Sequence, residues 1–518
     1  MDAEVRSEPL REHRLSRSVA VAVGVGLAAY AVLQWVALRP AAIAEWRESD
    51  TQTIARHFTE PGANIFYPRI DWGGAGKGFV ETEFQLYTWI VSVLMRIADP
   101  SAEWPGRVVS LAAVCAAGYA AYVLLARRFG ELAAVCGVGA LLTTRSVVQT
   151  ATAVQPEALC LLLFVVAWFQ LVEYTRTGHT RALVVYAVAG GLAMLVKPTA
   201  AQLGVASLVL LAIRSPATLR RPPIWIAWGA MVAVLVVYML HARSVYLEYG
   251  NTFGVLSGGE SKVPRPGLLV DPELLARTAK RVVLWGIGPL GVVACLALAY
   301  LHRATPRQLA PVLALLVGIV VWAVAAMRYT SFDGGNHYHV LSAVVAAEAV
   351  AGVVAAAGTS WPRGRVWLAV AAVVAVGAAG QFADSAHHRR ISRTNSFSAA
   401  EIALAGAAEP FVAPGELVVV RSSRPAYDEF WQDEIQYADP RVFYLTGTRG
   451  WSAALDDDDP AHLDEWLAEG ARFYFEPVPA ELPRTDAWLT EHAALVAESE
   501  YGGRVFALDT DPPSVADP

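Results

Sequence analysis

The chain has 518 residues, of which 55% are hydrophobic and only 17% are charged, and its formal net charge is −6. Its mean hydropathy is +0.39. This composition predicts a membrane protein that crosses the bilayer many times and argues against a soluble globular domain. The mild acidity excludes nucleic acid as a partner, because phosphate backbones are bound by clusters of Lys and Arg.

The first apolar run, Ser18–Leu38, is long enough to cross the hydrocarbon core of a bilayer. Arginines precede it, and Arg39-Pro40 follows it in place of a small-residue cleavage site. The run is therefore predicted to be a membrane span and not a cleaved signal peptide, with the N-terminus in the cytoplasm.

Further apolar runs follow, and the basic residues between them fall on alternate connections, as at Arg127/Arg128 and Arg303/Arg307. This positive-inside pattern predicts eleven spans in the cell (plasma or inner) membrane. It places residues 40–104 and the C-terminal region outside the cytoplasm. The predicted later spans are 105–126, 131–149, 156–173, 182–196, 199–213, 223–241, 282–301, 308–327, 338–357 and 365–382.

One apolar segment, Phe84–Ile97, is too short for an ordinary span. Counting it as a span would also put Arg127/Arg128 on the wrong side of the membrane, so we expect a re-entrant or interfacial helix. Thr82 and Gln85 match a capping box, which predicts that Glu83 lies in the first turn of this helix.

The composition becomes more charged and richer in Pro after residue 382, which predicts a membrane domain over 1–382 and a second domain over 383–518. In the second domain "ELVVVRS", "ARFYFEP" and "GRVFAL" predict strands, whereas "PAHLDEWLAEG" and "TDAWLTEHAALVAESE" predict helices. The acidic run 456–459 predicts a solvated loop and a helix N-terminus. The predicted fold class is a polytopic α-helical membrane protein with juxtamembrane or re-entrant helices in the first external loop and a small extracytoplasmic α/β domain.

The segment "EWRESDTQTIARHF" (45–58) follows the first span and is dense in ionisable groups, yet its pattern is helical. In a helix, Asp50 and His57 share one face, with Arg47 one turn before Asp50. Spacing alone leaves two interpretations open: an interfacial helix with an Arg47–Asp50 pair, or a functional site. Glu81 and Glu83 are two residues apart, so at most one of them can partner Asp50, and Glu83 is the better candidate.

Three stretches carry a resemblance to a known superfamily: "WRESDTQTIARHF", "NIFYPRIDWGG" and "ETEFQLYTWIVSVLMRI". They resemble the start of the polyprenyl-phosphate-dependent GT-C glycosyltransferases, which include protein O-mannosyltransferases (glycosyltransferase family 39) and the lipid A aminoarabinose transferase. "ATAVQPEALCLLLFVVAW" and "GGLAMLVKPTA" extend the likeness in looser form, over roughly the first 200 residues. The resemblance implies transfer of a sugar from a polyprenyl-phosphate donor to an extracytoplasmic lipid, glycan or protein, with inversion.

The resemblance also implies roles for particular residues. Asp50 matches the acidic residue of the first loop and is the expected general base, and Glu83 matches the second acidic residue. Lys197 of "VKPT" matches a cation that holds the lipid-linked phosphate, a role that the chemistry extends to Arg56 and Arg328 as helpers. The candidates for binding sugar or acceptor are His57, Asp71, His337 and His339. Two alternatives stay open: Asp71 shapes its loop, and the two later histidines cap a helix.

No cofactor is certain from the sequence, and a divalent metal ion stays possible. Asp50, Glu83, His57 and His337 are suitable ligand types, but no local spacing indicates a metal site. The expected partners are the polyprenyl-phosphate-sugar donor, membrane lipids and the acceptor. Two alternatives are a transporter or flippase of lipid-linked sugars and a non-catalytic anchor for the C-terminal domain; the first predicts internal hydropathy repeats, which the sequence does not show.

Overall fold

The computed structural model describes residues 15–37, 45–258, 260–261, 263–303, 305–331, 335–360, 366–394 and 398–508. Three segments used in the topology prediction lie outside these ranges: the N-terminal residues 1–14, Arg39-Pro40 and the basic pair Arg363/Arg365. The helices as far as the end of the membrane part are α1 (Arg17–Ala37), α2 (Trp46–His57), α3 (Leu86–Ile97), α4 (Trp104–Phe129), α5 (Glu131–Thr143), α6 (Arg145–Thr150), α7 (Glu157–Thr177), α8 (Thr180–Val196), α9 (Gln202–Arg214), α10 (Pro222–Tyr249), α11 (Pro272–Arg281), α12 (Gly288–Leu301), α13 (Pro306–Ala325), α14 (Met327–Thr330), α15 (Ala343–Ser360) and α16 (Val366–Thr394).

Eight helical segments in the described part of the chain are long and apolar enough to cross a membrane. They correspond to eight of the eleven predicted spans, which confirms a polytopic helical membrane protein. The other three predicted spans, 131–149, 182–196 and 199–213, coincide with shorter apolar helices, so the count of eleven stays a prediction. The eight segments are Arg17–Val36, Trp104–Phe129, Glu157–Thr177, Pro222–Tyr249, Pro272–Leu301, Arg307–Ala325, His337–Gly358 and Ala369–His388.

The membrane helices pack around a large apolar core whose bulkiest buried members include Trp168, Tyr122 and Tyr186. Small residues let some helix backbones approach closely. At Gly137 of α5, a Cβ would lie 2.6 Å from the carbonyl oxygen of Ala347 in α15. Glycine is therefore required there, as is common where apolar helices cross at short distance.

The first external loop contains α2 and α3, and α3 begins later than the capping box predicted. The Gln85 amide donates to Thr82 Oγ1 and to the carbonyl of Glu83, both at 3.0 Å. These side-chain bonds hold a turn before the helix, and the prediction that Glu83 lies in its first turn is wrong. Met95 and its buried neighbours on α3 face the membrane helices, while Ile97 on the opposite face is exposed.

A short parallel pairing joins the first external loop to the segment after α10. Strand β1 (Val80–Glu81) pairs with β2 (Asn251–Thr252). The segment near residue 251 is thereby held beside the first loop, although the two are far apart in the sequence.

The C-terminal domain is an α/β unit with a five-stranded sheet. Its strands lie in the order β6 (Arg449–Ala453), β3 (Leu417–Arg421), β7 (Phe473–Glu476), β9 (Arg504–Ala507) and β8 (Ala494–Glu498). Strands β6, β3 and β7 are parallel, whereas β9 and β8 are antiparallel to their neighbours. A separate hairpin is formed by β4 and β5. The elements are α17 (Ala399–Ala408), β3 (Leu417–Arg421), β4 (Tyr427–Asp428), β5 (Asp433–Glu434), α18 (Arg441–Thr446), β6 (Arg449–Ala453), α19 (Pro460–Ala468), β7 (Phe473–Glu476), α20 (Pro483–His492), β8 (Ala494–Glu498) and β9 (Arg504–Ala507).

Both faces of this sheet are covered. Val418 and Val420 of β3 pack in a cluster with Ile54 of α2 and Trp72 of the first external loop. Val419, between them, packs on the other face with residues of α19 and α20. The strict alternation of side chains along a strand thus places the first external loop against one face of the C-terminal sheet.

The predicted strands and the helix "PAHLDEWLAEG" are confirmed, and Asp459 caps α19 by accepting from the Ala461 N–H at 3.3 Å. The single helix predicted for "TDAWLTEHAALVAESE" is wrong in its second half. Helix α20 ends at His492, and Ala494–Glu498 forms β8 because it pairs antiparallel with β9. Tertiary pairing overrides local helix propensity there. The last long helix continues to Thr394, beyond the predicted boundary at 382.

The predicted orientation can be tested with cysteines placed at exposed sites in a background without the four native cysteines. Tyr427 of β4 and Thr180 of α8 are both exposed. We expect Tyr427→Cys to react with an impermeant thiol reagent in intact cells, because the arginine pattern predicts that the C-terminal domain lies outside. Thr180→Cys should react only after permeabilisation, and the reverse labelling pattern would show that the arginine argument is wrong.

Candidate active site

Helix α2 is polar and nevertheless buried. Its inaccessible polar residues form the consecutive run Glu48, Ser49, Asp50, Thr51, Gln52 and Thr53. Glu48 accepts the N–H of Val154 at 2.9 Å, and the Gln52 amide donates to the carbonyl of Ala102 at 2.8 Å. These contacts dock α2 against the membrane helices, so it is not a surface-lying amphipathic helix.

Asp50 lies near the middle of this helix with only 2% of its surface exposed. Its Oδ1 accepts the indole N–H of Trp72 at 3.0 Å. Burial raises the pKa of Asp50 to about 7, against the opposing effects of this hydrogen bond and of Arg47. A carboxyl group with this pKa can take up or release a proton near neutral pH, which is what a general base requires.

Beside Asp50, two cations and two carboxylates form a buried chain of ion pairs. Arg47 pairs with Glu83, not with Asp50, so the predicted Arg47–Asp50 pair is wrong. Lys197 Nζ lies 2.9 Å from Glu83 Oε1 and 3.0 Å from Glu157 Oε1. The four side chains come from the start of α2, the turn before α3, the end of α8 and the start of α7, so the chain ties four parts of the sequence together.

The ionisation of Glu83 follows from these partners and not from a helix terminus. Burial by itself disfavours the carboxylate, but the charges of Arg47 and Lys197 outweigh it and hold the pKa of Glu83 well below its usual range. Glu83 is therefore a fixed anion in the folded protein, whereas Asp50 can change its protonation state.

The side chain of Glu81 points away from the site of Glu83, as predicted from their separation of two residues. Its carboxylate accepts the N–H groups of Leu256 and Ser257 at 2.8 and 3.0 Å and the hydroxyl of Thr252 at 3.0 Å. Glu81 thus organises the segment that follows β2 and is not part of the ion-pair chain.

The two histidines near residue 338 have different surroundings. His337 Nε2 lies 3.9 Å from Glu157, so His337 is next to the end of the chain. The ring of Tyr338 faces Lys197 Nζ at 6.0 Å from its centroid. His339 is buried on another side, with its Nε2 3.1 Å from the Thr330 carbonyl oxygen. Only His337 joins the candidate site.

Arg56, His57 and Asp71 form a second cluster at the end of α2. Asp71 lies 2.7 Å from Arg56 Nη2 and 2.7 Å from His57 Nε2, while His57 Nδ1 lies 2.7 Å from Glu60. Burial disfavours the imidazolium, but the hydrogen bonds with Asp71 and Glu60 outweigh it and raise the pKa of His57. The cluster fastens the loop before β1 to α2, and its members are already paired with one another.

Arg328 also lies apart from Asp50. Its guanidinium is 3.0 Å from Asp433 and 3.6 Å from Glu260, and it faces the ring of Trp431 at 5.6 Å. These contacts join the membrane part to the hairpin of the C-terminal domain.

The four residues predicted as possible metal ligands do not converge. Asp50 contacts Trp72, Glu83 contacts two cations, and His57 contacts Asp71 and Glu60. Among the residues that the structure describes, no group of three His, Cys, Asp or Glu side chains is placed to hold a metal ion.

Glu157 and Trp72 were not predicted from the sequence as site residues, and Arg47 was considered only as a partner for Asp50. Glu157 carried a usable signal, because it is a carboxylate at the start of the long apolar run of α7. Trp72 carried no such signal, since only the tertiary fold brings it to Asp50.

The chain was compared with known proteins in three ways. The family model of dolichyl-phosphate-mannose-protein mannosyltransferases matches residues 85–241, which is less than half of the chain. Comparison with curated proteins gave no match.

Solved structures share the fold at low sequence identity. The apo structure of ArnT from Cupriavidus metallidurans superposes with a TM-score of 0.62 at 16% identity, covering 96% of this chain and 99% of that one. The structure of the same protein bound to undecaprenyl phosphate gives 0.61 at 15% identity, covering 96% and 100%. The apo oligosaccharyltransferase of Archaeoglobus fulgidus gives 0.53 at 12% identity, covering 89% and 70%. The shared fold and the family match confirm the predicted GT-C superfamily.

The ion-pair chain predicts a stability effect at Glu83. Removing one partner of a buried ion pair costs about 3–5 kcal/mol, and the remaining Glu157 limits the loss. We expect Glu83→Gln to lower the melting temperature of the purified protein by several degrees. Glu273→Gln, which removes an exposed pair with Arg277, is the control and should cost less than about 1 kcal/mol. Equal melting temperatures for both variants would show that the buried chain does not hold the fold together.

Proposed function

We propose that this GT-C glycosyltransferase moves a sugar from a polyprenyl-phosphate-linked donor to a hydroxyl group of an extracytoplasmic acceptor, with inversion and with Asp50 as general base. The observation that carries the proposal is a buried carboxyl group of pKa about 7 near two cations, the buried Lys197 and the half-buried Arg47. The family match and the fold shared with a protein solved with undecaprenyl phosphate support this donor class. They also favour sugar transfer over the alternative of a transporter.

In the proposed reaction, Asp50 takes the proton of the acceptor hydroxyl. The acceptor oxygen attacks the anomeric carbon, the bond from that carbon to the phosphate oxygen breaks, and the polyprenyl phosphate leaves with the electron pair. The indole N–H of Trp72 fixes the orientation of the Asp50 carboxylate. The same hydrogen bond favours the ionised form that acts as base.

The departing phosphate needs cations, and Arg47 and Lys197 are the best placed. The Nε of Arg47 is buried and donates to no acceptor within the described residues. Lys197 has three N–H donors and pairs with two carboxylates. In this proposal Glu83 and Glu157 hold both cations in place before the donor binds. Arg56 and Arg328 have a smaller part, because they belong to other clusters, Arg56 with Asp71 and Arg328 with Asp433 and Glu260.

The role of Asp50 predicts a kinetic defect without loss of donor binding. Asp50→Asn keeps the size of the side chain but cannot accept the proton, and general-base catalysis contributes about 10²–10⁴-fold. We expect turnover of a polyprenyl-phosphate sugar to fall by that order while undecaprenyl phosphate still binds. Asp99→Asn, an exposed change in the same loop, is the control and should leave turnover unchanged.

The pH profile offers a second test of the same role. Because the pKa of Asp50 is raised to about 7, the base is protonated below that pH. We expect kcat/KM to rise about tenfold per pH unit below pH 7 and to level off above it. Parent-like turnover of Asp50→Asn, or a profile that is flat between pH 5 and 8, would contradict the proposed mechanism.

The role of Lys197 predicts an effect on donor affinity. Lys197→Ala should weaken binding of undecaprenyl phosphate about tenfold or more, whereas Lys197→Arg keeps a cation and should lose less. Binding is measured per folded molecule, since either change also alters the ion-pair chain. A purely structural Lys197 would lower the melting temperature of the alanine variant and leave the affinity of the folded fraction unchanged.

A further inference from the structure

A cavity of about 400 Å³ lies between the first external loop, the segment around β2 and the C-terminal sheet. Its size is within the range of small-molecule sites, about 300–1,000 Å³. The side chains that matter for its chemistry are Trp72, Gln436, Tyr437, Trp451, Ser452 and Trp466.

Among the residues that the structure describes, the lining is aromatic and polar and includes no Asp, Glu, Lys, Arg or His. A phosphate or a charged peptide would find no ionic partner there and would lose its hydration. A sugar ring suits the lining better, because its C–H face can stack on an indole or phenol ring while its hydroxyls bond to amide and hydroxyl groups. The chemistry therefore points to a neutral saccharide.

The walls of the cavity are joined by main-chain hydrogen bonds. The N–H of Gly74 donates to the carbonyl of Gly450 at 2.7 Å, and the N–H of Gly450 donates to the carbonyl of Asp71 at 2.8 Å. Gly74 has a φ of +74°, and a Cβ there would lie 3.0 Å from Trp451 Nε1. The Trp451 indole is thus held against the backbone of the first external loop, which fixes its position beforehand.

One residue of the lining links the cavity to the candidate base. Trp72 lines the cavity and also donates its indole N–H to Asp50. Arg47 and Lys197, the cations proposed for the donor phosphate, are not part of the lining. An occupant of the cavity is therefore one side chain away from the base and separate from the phosphate site.

We infer that this cavity binds a neutral saccharide portion of the acceptor, so that the acceptor is a glycan or a glycosylated molecule. The inference rests on the proposed function, because it assigns the acceptor class of the same site. In this arrangement Trp451, Trp466 and Tyr437 hold sugar rings beside Trp72, the hydrogen-bond partner of Asp50.

Photo-crosslinking in living cells tests the inference with whatever molecule occupies the cavity. Tyr437→p-benzoylphenylalanine replaces one aromatic ring by a photoreactive one inside the cavity. We expect its adducts to carry carbohydrate that periodate destroys, at a level above that of the same change at the exposed Tyr427. Adducts that contain only peptide or phospholipid, or a yield no higher than that of the control, would overturn the inference.

A second substitution in the same background tests the stacking contact. Trp451→Ala should lower the yield of carbohydrate adducts about fivefold or more, and Trp451→Phe should largely restore it. Trp225→Ala, on the exposed face of α10, is the matched control and should change nothing. An unchanged yield in Trp451→Ala would also overturn the inference.

The two proposals can fail separately. Binding of undecaprenyl phosphate should be unaffected by Trp451→Ala, since the cavity does not contain the phosphate site. If Asp50→Asn transfers sugar normally while carbohydrate adducts form, the proposed mechanism fails and the saccharide site stands. If Asp50→Asn is inactive and no carbohydrate adduct forms, the mechanism stands and the inference fails.

Discussion

The structure depends on one chain of four paired charges, Arg47–Glu83–Lys197–Glu157, of which the last three are buried and Arg47 is half-buried. A charge removed from water is costly unless it is paired, so each member fixes the position of the next. The pairs connect α2, the turn before α3, the end of α8 and the start of α7. The place of the candidate active site is thereby set by the same contacts that hold the first external loop on the membrane helices.

Asp50 differs from these neighbours because no cation within the described part of the chain forms a direct ion pair with it. Its contact is the neutral indole of Trp72, so burial raises its pKa, whereas the cations beside Glu83 lower the pKa of that group. Two carboxyl groups in one small region are thus driven in opposite directions by what touches them. Glu83 is a fixed anion that positions cations, whereas Asp50 can exchange a proton. Two carboxyl groups with pKa values shifted in opposite directions are typical of sites of acid–base chemistry.

The C-terminal domain takes part in this site through Trp72. The first external loop packs on one face of the sheet through Ile54 and Trp72, and main-chain bonds at Gly74 and Gly450 join it to β6. A change in how the sheet sits against the loop would therefore move the hydrogen-bond donor of Asp50. This coupling gives a physical reason for an α/β domain to be attached to the membrane part, since it completes both the surroundings of Asp50, the proposed base, and the walls of the adjoining cavity.

The sequence by itself determined the class of the protein, because hydropathy and arginine placement follow directly from the exclusion of charge from a bilayer. Through the resemblance to the GT-C glycosyltransferases it also singled out Asp50, Glu83 and Lys197. It could not show that Arg56 and Arg328 are occupied by Asp71 and Asp433, that Glu157 completes the ion-pair chain, or that residues 494–498 form a strand. Those outcomes were decided by the tertiary structure, since ion pairing and strand pairing depend on distances between residues that are remote in the chain.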